Sequence, residues 1–191
     1  MALDGIILSK VKQDLDTYLP IRINRISETS KTEVVFNVHA NNIRTNLVIN
    51  LHSNFNHICL SDNNFTTYND PSTFVMVLRK YILNGVIDSI EQFNYDRYLL
   101  LHIHARDELY DEKKYILSVE LMGKYANLIL VDENNKIIDA LKKIPPYENT
   151  RRTERSLQQG RPAQWRIKWR STGRRTSQPA RWRFGTATSR C

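Results

Sequence analysis

Short β-branched and aromatic runs recur along most of this chain, and most of the polar gaps between them are too short to hold a crossover helix. Parallel neighbours need a dozen or more connecting residues, so the strands must pair mostly antiparallel. The runs lie at 22–27, 32–39, 47–51, 57–60, 86–93, 98–104, 114–121, 127–131 and 137–141. Residues 34–39 alternate apolar and polar side chains along most of their length, the pattern of a half-buried strand. Polar turns separate the runs, at 27–31 and at Glu133-Asn134-Asn135.

Two segments read instead as helices. Leu3, Ile7, Val11 and Leu15 recur every four residues with charged residues between them, predicting a helix over 3–18 that Pro20 ends. Asp4 stands where a side chain caps free backbone N–H groups. Asp70-Pro71 opens the second helix, with Asp70 as its cap and Pro71 at its first position. Its buried stripe is Phe74, Val77, Leu78, Tyr81 and Ile82, and Asn84-Gly85 stops it. Two helices with eight or nine strands make an α+β domain: a mostly antiparallel, β-sandwich-like or strongly curled sheet with helices packed on it.

The composition divides after Thr150. The whole chain has 191 residues and a formal charge of +8. Residues 1–150 carry 16 basic and 19 acidic residues, net −3, whereas 151–191 carry 11 Arg and one Lys against Glu154 alone, net +11. Asn occurs 17 times before the division and never after it. All three tryptophans, Trp165, Trp169 and Trp182, lie after it. Such a simultaneous change points to a frameshift or a fused segment, and a native RNA-binding arm is the other reading. A tail without apolar periodicity is expected to be disordered. There is no apolar run long enough for a transmembrane helix and no signal-peptide pattern, and two cysteines make no disulfide scaffold, so a reducing cytoplasm is the expected compartment.

Few chemical motifs are present. His102 and His104 share one face of a strand, and His39, His52, His57 and Cys59 lie elsewhere. Without CxxC or HExxH spacing, strand-face histidines and a buried structural thiol are the simpler reading, and no metal is expected. No GxGxxG or Walker loop occurs, so no nucleotide cofactor is expected. Asp96-Arg97 sits at a turn just before the strongest strand. Pattern alone leaves it open between a turn Asp with a solvated Arg and a functional pair. Arg79-Lys80 reads as a solvated helix end.

Four segments together resemble the N-terminal domain of the NFACT family: the bacterial RqcH-type proteins, long called fibronectin-binding proteins, with eukaryotic NEMF and Rqc2 as relatives. They are Leu3-Asp4-Gly5, the stretch 73–81, Asp96-Arg97, and Glu120-Leu121-Met122-Gly123-Lys124-Tyr125 with 126–132. The similarity covers about residues 1–152 and stops at Asn149-Thr150-Arg151-Arg152, where the composition changes. The resemblance implies a role in rescuing stalled ribosomes. Such proteins bind the large ribosomal subunit carrying peptidyl-tRNA, recruit alanyl-tRNA, and support template-free alanine tailing of the nascent chain. The ribosome performs the peptide transfer, so no conventional enzyme is expected. The family's residues for tRNA handling map to Asp4, Asp96 and Arg97. Arg79, Lys80 and Lys124 are possible further phosphate contacts, each equally open to a structural role. Gly123 is expected in a turn with positive φ.

By the family pattern the chain is also expected to lack a helix-hairpin-helix region, a coiled coil and a second NFACT domain, and therefore to be unable to tail alone. The same fold is similar to the N-terminal domain of formamidopyrimidine-DNA glycosylases. Those use an N-terminal proline followed by glutamate, whereas removal of Met1 here exposes Ala2-Leu3, so glycosylase chemistry is not expected. A fibronectin-binding adhesin and a non-catalytic structural module remain the alternatives. No membrane partner is expected.

Overall fold

A computed structural model describes residues 4–68, 70–106 and 111–143. The expected break after Thr150 and the expected disorder of 151–191 lie outside the described residues, as does Leu3. One compact unit ends at Leu141. Its elements in order are α1 (Gly5–Asp16), β1 (Ile21–Ser30), β2 (Glu33–Ala40), β3 (Ile43–Asn50), β4 (His57–Ser61), α2 (Thr73–Ile82), β5 (Val86–Glu91), β6 (Tyr98–Arg106), β7 (Glu112–Glu120), β8 (Asn127–Asp132) and β9 (Ile137–Ala140). A single 3-10 turn, Gly123–Tyr125, stands between β7 and β8.

The nine strands form one sheet in the order β4-β3-β2-β1-β5-β6-β7-β8-β9, and every pairing is antiparallel. The expected α+β class with a mostly antiparallel sheet and two helices is what the structure shows. It is one continuous sheet rather than two. Its two halves are joined where Ile21 and Arg22 of β1 pair with Ile87 and Val86 of β5, extended by a hydrogen bond from the Ile23 N–H to the Gly85 carbonyl at 2.8 Å. Helix α1 touches both β4 and β5, which are far apart in strand order, and α2 touches β1, β6 and β9. The sheet is therefore curled around a shared core. Ile23, Phe36 and Ile49 from one half and Leu101, Val119 and Leu130 from the other are all buried within it, together with Leu8 and Leu78 from the helices.

Local details depart from the sequence reading in instructive ways. The 27–31 turn shrinks to Lys31 and Thr32, because β1 runs on to Ser30 opposite Glu33. The third strand starts earlier than expected, at Ile43. Asn41 and Asn42 (φ 47° and 63°) make the two-residue connection before it, in a conformation that asparagine tolerates well.

Helix α2 begins at Thr73, and its cap is Ser72, not Asp70. Ser72 Oγ accepts from Val75 N–H at 3.4 Å, while the Ser72 N–H donates to the buried Glu28 carboxylate at 2.9 Å. That tertiary anchor on β1 sets where the helix can start, and Pro71 falls just outside it. Its buried stripe is Phe74, Val75, Leu78 and Ile82; Val77 and Tyr81 are only half-buried. At its end the left-handed residue is Asn84 (φ 62°). Gly85 is needed for space, since a Cβ there would lie 3.0 Å from the His104 carbonyl oxygen.

Helix α1 is shorter than expected, and its inward register differs. Leu8 and Leu15 are buried, but Ile7 is 53% exposed and Ile6 68% exposed. The every-fourth-residue spacing from Leu3 pointed to Ile7. The packing against β4 and β5 takes Leu8 instead.

Candidate functional site

The start of α1 and the β5–β6 connection meet. Asp4 caps α1, and its Oδ1 accepts from the Gly5 N–H at 2.6 Å. The next residue is packed without any clearance. A Cβ on Gly5 would fall 1.6 Å from the carbonyl oxygen of Tyr95, far inside van der Waals contact. Gln92, at the end of β5, ties the two segments together. Its Nε2 donates to the Gly5 carbonyl and to the Asp96 carbonyl, both at 2.8 Å. Thus Asp4 on one side and Asp96-Arg97 on the other are held at one place, although about ninety residues separate them in sequence.

The connection itself is a tight turn. Asp96 N–H donates to Phe93 O at 2.9 Å, with Asn94 and Tyr95 both at positive φ between them. Asp96 Oδ1 then accepts from the Arg97 backbone N–H at 2.7 Å, which fixes the carboxylate to its own turn. The guanidinium of Arg97 makes no hydrogen bond or ion pair among the described residues. Asp4 is exposed, and Asp96 and Arg97 are half-buried.

A third segment closes the site. The Leu121 N–H donates to the Arg97 carbonyl at 2.8 Å, so Leu121 and the turn after it run beside Arg97. Gly123 has φ 58°, as its place in a turn led us to expect. Buried Asn56 supports this turn. With its amide nitrogen facing the Leu121 carbonyl, it donates there at 3.2 Å and accepts from the Gly123 N–H at 3.3 Å, an orientation that satisfies both groups. Lys124 is exposed on this turn with its ammonium 5.0 Å from the Tyr125 ring centre.

Arg79 and Lys80 belong elsewhere, on α2. Arg79 is not a solvated helix end: its Nε donates to the Ile26 carbonyl of β1 at 2.9 Å, which commits it to the fold. Lys80 is exposed, 5.8 Å from the Tyr81 ring centre. Gln92 and Asn56 were not singled out in the sequence, because neither lies in a motif.

The histidines are spread out. His104 Nε2 lies 3.0 Å from Asp88, and His102 Nε2 lies 3.4 Å from Glu91, both across the β5–β6 ladder. Among the described residues, no three His, Cys, Asp or Glu side chains converge as a metal site would need. Burial, with a smaller contribution from Glu33, pushes the Cys59 thiol above its ordinary pKa, which disfavours the nucleophilic thiolate. No helix among the described residues is long and apolar enough to cross a membrane.

Residues 4–161 match the model of the NFACT N-terminal and middle domains. The chain belongs to the NFACT family. That match covers Asp4, the Asp96-Arg97 turn and the 120–125 segment, and it reaches past Arg152 into the basic stretch. The Rqc2 homolog RqcH of Streptococcus suis is 36% identical over 155 residues, which are 80% of this chain and 28% of that protein. The Rqc2 homolog RqcH of Bacillus subtilis is 34% identical over 80% of this chain and 27% of its own length. The chain therefore spans just over a quarter of these curated relatives. Among solved structures, the N-terminal part of the fibronectin/fibrinogen-binding protein from Streptococcus suis superposes with a TM-score of 0.74 at 36% identity, covering 77% of this chain and 56% of that one. The N-terminal domain of the fibronectin-binding protein PavA from Streptococcus pneumoniae gives 0.72 at 33% identity, covering 74% and 54%.

Proposed function

We propose that this domain serves ribosome-associated quality control in the cytoplasm. In this reading it binds tRNA and the stalled large ribosomal subunit carrying peptidyl-tRNA, and it contributes to template-free C-terminal alanine tailing with alanyl-tRNA. The observation that carries the proposal is the junction of Asp4 with Asp96-Arg97, locked by Gly5 against Tyr95 and by the two hydrogen bonds of Gln92. The RqcH relatives supply the context.

The chemistry of the junction suits RNA. The planar fork of Arg97, without a partner among the described residues, matches a phosphate or a base edge. Exposed Asp4 accepts hydrogen bonds from base amino groups or a ribose 2′-OH. Lys124, on the adjoining turn, adds a phosphate contact. Arg79 gives its Nε to the Ile26 carbonyl, which leaves its terminal N–H groups for a phosphate, and Lys80 follows it on α2. Nothing in this role requires the domain to catalyse a reaction or hold a cofactor. It positions RNA for the ribosome.

The basic charge of the whole chain does not supply this recognition, because residues 1–150, which hold the junction, are net acidic. Recognition here rests on placed side chains. The test is the double variant Asp96→Ala with Arg97→Ala in a protein carrying the complete set of family domains, assayed for tailing on purified obstructed large subunits. Loss of tailing with the fold retained, as judged by circular dichroism, is expected. Undiminished tailing would refute the assignment.

A second reading has one observation in its favour: the structural neighbours carry fibronectin-binding names. It predicts saturable binding of soluble fibronectin by the chain, insensitive to the double variant.

A further inference from the structure

Tyr95 occupies a backbone position that favours glycine, and its ring stands in solvent. The Phe93–Asp96 hydrogen bond with positive φ at Asn94 (46°) and Tyr95 (54°) is the pattern of a type I′ turn. Glycine is preferred at the second central position of such turns, and a bulky residue there is an outlier. The fold does not shelter the ring in return. Tyr95 is 67% exposed, and neither its ring nor its hydroxyl has a partner among the described residues. What the fold uses at this position is the carbonyl, packed on Gly5. Glycine would supply that carbonyl equally well and with less strain.

We propose that the Tyr95 ring is a stacking platform for an unpaired RNA base, with Arg97 taking the phosphate beside it. The proposal rests on the RNA reading above and deepens it. Phe93, in the same turn, is a second exposed aromatic ring (43%), and the aliphatic Ile6 and Ile7 that follow Gly5 on α1 are exposed as well. An apolar protein surface pressed here would bury the Arg97 guanidinium, and the Asp4 carboxylate with only the Gly5 N–H, without compensating partners. A nucleotide satisfies both kinds of group at once. Its base offers a π-face to the ring, its phosphate meets the fork, and its amino and hydroxyl groups meet the carboxylate. The base must be unpaired, because a base within a duplex is already stacked on both faces.

The test compares the parent chain with Tyr95→Gly, Tyr95→Trp and the Asp96→Ala/Arg97→Ala double variant. The probes are a short single-stranded oligoribonucleotide of mixed sequence and the same strand annealed to its complement. Raised salt suppresses non-specific binding by the Arg-rich residues 151–191, which all variants retain. For Tyr95→Gly, about tenfold weaker binding of the single strand is expected, with a melting temperature equal to or above the parent's. Tyr95→Trp should bind as the parent does. Unchanged affinity in Tyr95→Gly, while the double variant still loses binding, overturns the stacking role and leaves the RNA reading standing. An equal loss on duplex and single strand also overturns it. If the parent binds neither probe better than the double variant does, the RNA reading itself fails, and the stacking role with it. If Tyr95→Gly loses only fibronectin binding, the ring belongs to a protein interface and the proposal is wrong.

Discussion

Gly5 packs so closely on Tyr95 that a Cβ at Gly5 would fall 1.6 Å from the Tyr95 carbonyl oxygen. Everything distinctive about the site depends on this approach. It joins a helix start to a β-turn that the sequence places far away.

Gly5→Ala should therefore be strongly disruptive, although alanine is the better helix former. The obstacle is backbone, so it cannot rotate aside. Overpacking of this kind costs about 1–3 kcal/mol, and sometimes more. At this chain length each kcal/mol moves the melting temperature by about 2–4 °C. Thermal denaturation followed by circular dichroism measures it, and an unshifted midpoint would show that the two segments are not in contact.

Gln92→Glu keeps the shape of the side chain but replaces the amide donor with an acceptor. Two carbonyls, of Gly5 and Asp96, then face a carboxylate instead of an N–H group. Leaving such part-buried acceptors unpaired costs about 1–3 kcal/mol. Gln92→Ala, which removes the amide without adding charge, should be milder. Urea denaturation of the two variants gives the ranking, and the reverse order would contradict the donor role.

Asn56→Leu preserves volume and removes both hydrogen bonds to the Leu121–Gly123 turn. A destabilisation of about 1–3 kcal/mol is expected from the buried Leu121 carbonyl and the half-buried Gly123 N–H left unsatisfied. The effect should be local as well as global. Amide hydrogen exchange at Gly123 should accelerate more than at the centre of β2. Uniform acceleration across the domain would instead mean that Asn56 serves the core at large.

Cys59 supplies a pH prediction. Its thiol is raised above its ordinary pKa, first by burial and second by Glu33. The folded state holds that proton more tightly than the unfolded state does. The contribution to stability is therefore complete below the unfolded-state value of about 8.5, and it is lost as pH rises through the folded-state value. In a Cys191→Ser background, alkylation of the native protein by iodoacetamide should show its inflection at a higher pH than alkylation of the urea-unfolded chain. Coincident profiles would argue against burial of the thiol.

Much of this domain could be read locally. Strand runs, helix periodicity and turn residues are short-range signals, and they predicted an antiparallel α+β domain that the structure shows. Asp4 as a cap, Asp96-Arg97 in a turn before β6 and Gly123 at positive φ were legible for the same reason: backbone hydrogen bonding and steric limits at those positions depend on near neighbours. The acidic balance of residues 1–150, hidden beneath a basic total, was likewise a matter of counting.

The tertiary structure decided the rest, because it depended on which faces meet. Ile7 and Leu8 are both apolar, and only packing against β4 and β5 makes Leu8 the buried one. Asp70 and Ser72 are both good caps, and the anchor at Glu28 selects Ser72. Arg79 could point to solvent, but a strand carbonyl lies within its reach. Gln92 and Asn56 carry no motif at all; each acquires its role from carbonyls brought beside it by distant parts of the chain. Gly5, which the sequence marks only as part of Leu3-Asp4-Gly5 at a helix start, becomes the point on which the site closes, since only the curled sheet brings the Tyr95 carbonyl against it.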